Sequence, residues 1–288
     1  MRVLVTGTAG RIGRAVIDEI HRRGDLITAL VLSDPGDLGV DAVVVGSASD
    51  PGTVRMAVDG ADAVVHLAAF PTPLDHEPLE VFASNTQLTF AVLDGAGAAG
   101  IRHAVIASSF GATGMPWSSA VHSPSTLPLT VDSATVVEDP YGLSKQVDEL
   151  TATMMSRRHG MSVVSLRLPF VGMPHDRLEE HARELAAHPE RGIRDLWSYL
   201  DTRDAARAAV LALTPSITGS HTLYVAAETT AAPYPTETLL AAFHPASRLS
   251  RPLPGRTVPL DLGASHEFLG FQAVHELELP TIADLPLR

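Results

Sequence analysis

The 288-residue sequence contains no cysteine, so it can form no disulfide framework, thiolate nucleophile or cysteine-ligated metal site. Positive charge is also short: 21 Lys and Arg stand against 33 Asp and Glu, a formal net charge of −12. Nucleic-acid backbones and anionic membranes both recruit basic surface, so neither is expected as the main partner. No apolar run approaches the roughly 18 residues that a membrane span needs, and the N-terminal run stops at Val5, too short for a signal peptide. The expectation is a soluble, cytoplasmic protein. Aromatic residues make up only 5% of the chain, yet apolar residues reach 45% and charged residues 19%. That balance excludes a disordered or fibrous chain and leaves enough residues for a sizeable core.

Two finer scarcities carry more information. Twenty of the basic residues are Arg and one is Lys, Lys145; the chain also holds a single Asn, Asn85. Lys145 lies four residues after Tyr141 in Tyr141-Gly142-Leu143-Ser144-Lys145. With four tyrosines in 288 residues, a lone lysine falls at that spacing by chance about once in 70.

The first half alternates strand and helix signals. Apolar runs at 2–6, 26–32, 42–45, 63–67, 103–107 and 162–166 read as buried strands. Helical spacing follows at 12–20, 54–58, 79–99 and 142–159. Continuous apolar strands alternating with helices predict an α/β fold, a Rossmann-type doubly wound parallel sheet covered on both faces. Residues 1–166 are expected to form the dinucleotide-binding part, with the chain returning to the sheet near 195–225. Residues 167–194 and 226–288 are expected to form a small C-terminal substrate-binding region.

Gly7, Gly10 and Gly13 directly follow the first strand and open a helix. Such a loop turns tightly, lets the backbone approach a pyrophosphate, and presents the unpaired amides of a helix N-terminus to negative charge. No G-K-[ST] follows, which argues against a nucleoside-triphosphate loop. Asp34, about 20 residues on, can accept both ribose hydroxyls of an adenosine and repel a 2′-phosphate, pointing to NAD. Arg11 points the other way, since a guanidinium beside the loop also suits the phosphorylated cofactor NADP.

These residues, in this order, resemble the extended short-chain dehydrogenase/reductases, the NAD-dependent epimerase/dehydratase group. The resemblance covers most of the chain: Gly7-x-x-Gly10-x-x-Gly13, Asp34, His66-Leu67-Ala68-Ala69, Asn85, Ser108-Ser109, Tyr141-x-x-x-Lys145, Leu166-Arg167-Leu168-Pro169 and Leu269-Gly270-Phe271. It implies hydride transfer between the nicotinamide ring and a carbon bearing a hydroxyl. It makes Tyr141 the general acid/base. Lys145, one helical turn along, favours the phenolate and binds the nicotinamide ribose. Ser109 becomes the hydroxyl that stabilises the substrate oxygen, with Ser108 structural, and Asn85 joins the catalytic set. The implied cofactor contacts are Gly7, Gly10, Arg11, Ile12, Gly13, Asp34, Leu67, Ala68, Ala69, Tyr141 and Lys145.

The chain departs from the group in two places. Gly46-Ser47-Ala48-Ser49 stands where an adenine-facing Asp is usual, and Phe170 stands where many nucleotide-sugar enzymes carry an asparagine. About 140 residues follow Lys145, without the dense arginine cluster that grips two phosphates. The layout is closer to uronate dehydrogenases, with Arg194 at the position that binds a substrate carboxylate. Ser109, Phe110, Phe170 and Arg194 are the expected substrate contacts on a sugar-like molecule. The same apparatus also runs epimerases and dehydratases that retain NAD, and a silent cofactor sensor would keep the fold alone. The apolar stripes of 79–99 and 142–159 predict a homodimer. His175, His181 and His188 straddle a highly charged stretch that reads as a solvated helix face, so no metal is assigned.

Overall fold

The computed structural model describes residues 1–34, 36–213, 216 and 218–286. In chain order the elements are β1 (Arg2–Thr6), α1 (Arg11–Arg22), β2 (Leu26–Val31), β3 (Ala42–Val45), α2 (Pro51–Val58), β4 (Ala63–His66), α3 (Pro78–Ala98) and β5 (His103–Ser109). There follow β6 (Thr126–Leu127), α4 (Pro140–His159), β7 (Ser162–Leu168), β8 (Phe170–Gly172), α5 (Glu179–Ala187), β9 (Tyr199–Asp201) and α6 (Thr202–Leu211). The last are β10 (Ser220–Tyr224), α7 (Thr236–Phe243), β11 (Arg248–Leu249) and α8 (Gly263–Leu269).

Seven strands form one parallel sheet in the order β10-β7-β5-β4-β1-β2-β3. Alternate side chains of β1 explain the two helix layers. Val3 and Val5 pack with Val16, Ile17 and Ile20 of α1 and with the alanines of α6, whereas Leu4 packs with Val54 of α2 and with Val92 and Leu93 of α3. All three β1 side chains are fully buried, each contributing about 2 kcal/mol of burial free energy. The order reverses at β1, whose neighbours are β2 on one side and β4 on the other. The connections leaving β1 and β4 therefore part in opposite directions and open a crevice at their carboxyl ends, the place where open α/β sheets bind ligands.

Local chemistry sets the helix ends. Pro140 occupies the first turn of α4, and the Asp139 side chain accepts a hydrogen bond from Gly142 N at 2.7 Å. α2 starts at Pro51, earlier than apolar spacing alone predicts, because Asp50 caps Thr53 N. The stretch 173–191 differs more from its expected solvated face. The Arg177 guanidinium lies 4.0 Å over the Phe170 ring, and the His181 ring stacks on that ring at 4.0 Å. Its charge pattern describes α5, but the aromatic partner arrives from β8. Among the described residues, no helix is long and apolar enough to cross a membrane.

Candidate active site

The crevice holds a cavity of about 720 Å³. Its lining joins parts of the chain that are remote in sequence: the loops after β1 and β4, the end of β5 with the start of α4, Pro116 and Trp117, and residues from 168 to 195.

The loop after β1 is shaped by glycine. Gly7 has φ +73°, and a Cβ there would sit 2.8 Å from the Leu67 and Ala68 backbone; a Cβ on Gly13 would run into Gly7 O. The result is a close-packed turn whose helix, α1, begins at Gly10 with no side-chain cap. The first amides of α1 are left for an anion, which fits the diphosphate of a dinucleotide. Gly7, Gly10, Arg11, Ile12, Gly13, Leu67 and Ala69 all line the cavity. Ala68 and Asp34 do not. Ala68 N donates to Thr6 Oγ1 at 3.1 Å, and Asp34, exposed beyond β2, accepts from Gly36 N at 3.0 Å. The Arg11 guanidinium is paired with Asp176.

Tyr141, Lys145, Ser109 and Phe110 line the same cavity. Gly111 makes this possible, since a Cβ on it would stand 2.9 Å from Tyr141 Cε1 and 3.1 Å from Ser109 Oγ. Ser109 Oγ accepts from Gly111 N at 2.9 Å, which leaves its own proton to donate. Lys145 Nζ lies 5.8 Å from the Tyr141 ring centroid. It donates to Ala107 O at 3.0 Å and to Asp148 Oδ2 at 3.2 Å. An ammonium has three protons, so one remains. Burial pushes the Asp148 carboxyl up, opposed by Lys145. Ser108 is committed elsewhere: its hydroxyl donates to Glu149 at 2.6 Å, and Glu149 in turn takes two hydrogen bonds of 2.8 Å from Arg167.

Asn85 lies outside the cavity. Its Oδ1 accepts from Phe70 N at 2.8 Å, and its Nδ2 donates to Phe70 O and, at 3.0 Å, to Ser144 Oγ. The side chain ties the loop after β4 to the helix that carries Tyr141 and Lys145.

His66, below the loop, is held neutral. Thr6 Oγ1 accepts from Leu67 N and Ala68 N, so its proton goes to His66 Nδ1 at 2.8 Å and places the ring proton on Nε2. Burial, aided by the Lys145 charge, pulls its pKa down to about 3. Between about 6.5 and 3 the unfolded chain takes up a proton here that the folded chain refuses. Stability therefore falls as pH drops through that window, with about 2 kcal/mol lost from this group at pH 5. Urea unfolding at pH 7.5 and 5.0 checks this, and His66→Asn, which keeps an acceptor for Thr6, should flatten the difference.

At the other end, Phe170, Arg177, Arg191, Arg194, Asp195 and Trp117 line the cavity. Arg194 Nη1 donates to the Ser118 and Ala120 carbonyls, bracing the 116–120 loop. The sequence reading missed Arg177 and left Asp195 as no more than a neighbour of Arg194. The signal for Arg177 was Phe170, an aromatic where an amide is common. Among the described residues, no group of three or more His, Asp or Glu side chains is arranged to hold a metal.

Comparison with known proteins agrees with this geometry. The model of the NAD dependent epimerase/dehydratase family matches residues 3–226. An L-arabinose 1-dehydrogenase (NAD(P)(+)) of Haloferax volcanii is 30% identical over 220 residues, covering 74% of this chain and 84% of that protein. A 3-diazoavenalumate denitrifying reductase from a Streptomyces species is 32% identical over 295 residues, covering 96% and 90%. Among solved structures, a short-chain dehydrogenase/reductase superfamily protein of Agrobacterium tumefaciens with bound NAD superposes with a TM-score of 0.70 at 25% identity, covering 96% of this chain and 93% of that one.

Proposed function

This chain belongs to the NAD dependent epimerase/dehydratase family, and on that premise we propose that it is an NAD-dependent oxidoreductase acting at a hydroxyl-bearing carbon, a secondary alcohol or lactol, of a sugar-like substrate. One observation carries this reading: Tyr141, Lys145 and Ser109 line the same cavity as the uncapped glycine turn. The 30% identity to an L-arabinose dehydrogenase supports the substrate class.

Each residue has a part in that chemistry. The amides of Arg11 and Ile12 hold the diphosphate, and the remaining Lys145 proton binds the nicotinamide ribose. When bound, NAD supplies the ring carbon that accepts the hydride. Tyr141 Oη takes the proton of the substrate hydroxyl as the carbonyl forms, and Ser109 Oγ donates a hydrogen bond to the same oxygen. In the reverse direction Tyr141 returns the proton. Phe110 and Phe170 give the substrate apolar walls, and Asp34 serves the adenosine ribose. Mixing the protein with NAD and a panel of aldoses, uronates and nucleotide sugars, read at 340 nm, tests this. Reduced cofactor from one class identifies the substrate. Protein purified with tightly held NAD and giving no net reduction supports the epimerase or dehydratase version instead.

A second reading has its own support. The match to the denitrifying reductase spans 96% of the chain, against 74% for the arabinose dehydrogenase. Oxidation of NADH by an aromatic diazo acid, with no response to sugars, would favour it.

The same proposal includes a homodimer through α3 and α4. Phe90, Leu143 and Leu150 are exposed on these helices, Leu150 at 68%. They lie beside a depression of about 920 Å³ lined in part by Phe90, Ala91, Val147 and Thr151. Light scattering should give twice the 30.4 kDa chain mass, and Leu150→Glu with Phe90→Glu should halve it.

A further inference from the structure

Among the described residues, Asp195 is the one acidic side chain lining the cavity. Four arginines share that lining, yet none forms an ion pair with it among the described residues. Arg11 pairs with Asp176, Arg191 pairs with Glu184, Arg194 Nη1 serves two carbonyls, and Arg177 lies over Phe170. Asp195 Oδ1 accepts one hydrogen bond, from Trp197 N at 3.0 Å.

The turn that presents it is rigid. Asp195 O accepts from Ser198 N at 3.1 Å and from Ser198 Oγ at 2.6 Å, while the Trp197 indole donates to Pro189 O at 2.6 Å. Leu196 and Trp197, both fully buried, hold φ values of +55° and +54°. Bulky side chains rarely adopt this left-handed region, and strain of this kind collects where a neighbouring group must be aimed. What precedes these two residues is the carboxyl in the cavity wall.

We propose that Asp195 determines specificity at the substrate end: its carboxylate accepts hydrogen bonds from substrate hydroxyls and makes the site select neutral polyhydroxylated molecules over those carrying a carboxylate or phosphate. The inference rests on reading the cavity as a sugar oxidoreductase site. A carboxylate has about four lone-pair positions, of which the Trp197 amide uses one, and hydroxyl donors match the rest. A second anion brought against that carboxylate would meet like charge. Burial pushes the Asp195 carboxyl up to about 7, against the pull of the Trp197 and Asp195 amides. The accepting form therefore grows in as pH rises through neutrality.

The other titratable groups lining the cavity are Arg11, Arg177, Arg191, Arg194, Tyr141 and Lys145, with His244 packed edge-on against Trp197. Asp195→Asn leaves all of them in place and keeps an acceptor for Trp197 N. A pH effect that disappears in this variant therefore belongs to Asp195.

The test measures kcat and KM with L-arabinose, D-galactose and D-galacturonate, alongside NAD affinity by fluorescence. Wild type should prefer the two neutral aldoses, with their KM rising as pH falls below 7. Asp195→Asn should raise aldose KM by about tenfold, change kcat by less than about threefold, narrow the preference over galacturonate, and show no rise in KM below pH 7. NAD affinity should not change. Asp195→Ser, a second acceptor for the same amide, takes its place if the melting temperature of Asp195→Asn falls. Unchanged KM and unchanged preference in the variant overturn the inference alone, as does a wild-type preference for galacturonate. NAD binding without reduction by any member of the panel of aldoses, uronates and nucleotide sugars overturns the functional reading and this inference with it.

Discussion

Tyr141→Phe is expected to lower kcat by about 10³-fold while leaving NAD affinity within about twofold. The change deletes one oxygen and nothing that holds the fold. The ring still packs against Gly111, and among the described residues no hydrogen bond from its hydroxyl ties it to another element. Lys145 keeps both its anchors, Ala107 O and Asp148, so the nicotinamide ribose loses no donor. What disappears is the group that takes the substrate proton as hydride leaves. Ser109 cannot replace it, because a hydroxyl that donates a hydrogen bond stabilises the oxygen without accepting its proton. Steady-state kinetics beside a binding titration separate the two effects. Near wild-type kcat would remove Tyr141 from the chemistry.

Gly7→Ala is expected to act on the other half of the site and on the fold together. The position has φ +73°, and a Cβ would stand 2.8 Å from backbone atoms of Leu67 and Ala68. Backbone cannot rotate aside as a flexible side chain does, so the strand ends of β1 and β4 must part. The left-handed conformation and the contact together should cost about 2 kcal/mol of stability or more. The same movement displaces the Arg11 and Ile12 amides, so NAD affinity should fall by about 10²-fold. Denaturant unfolding and an NAD titration read the two losses independently. Weaker NAD binding with unaltered stability would show that Gly7 serves the cofactor without bracing the sheet.

The parts legible in the sequence are those written contiguously. A strand, a glycine turn and a helix follow one another within 22 residues, and Tyr141 and Lys145 share a face of one helix. The sheet was equally plain, because strands buried on both faces appear as unbroken apolar runs. Side chains whose role depends on a partner from elsewhere were harder to read. Asn85 is placed by the resemblance in the catalytic set, and its spacing does not reveal that the Phe70 backbone and Ser144 are its hydrogen-bond partners. Arg177 and His181 look solvated until Phe170 arrives between them. Arg194 is expected at a substrate carboxylate, but its guanidinium turns to the Ser118 and Ala120 carbonyls. In each case sequence spacing gives the face of an element, and tertiary contact decides what that face meets.

A crystal of this protein grown with NAD tests the central claim most directly, that one cavity brings the dinucleotide to the phenol. The diphosphate should lie against the amides of Arg11 and Ile12, with the nicotinamide ring between Ser109 and Tyr141 and its ribose on Lys145. Density placing the ring outside that cavity, or the diphosphate away from the start of α1, would contradict it.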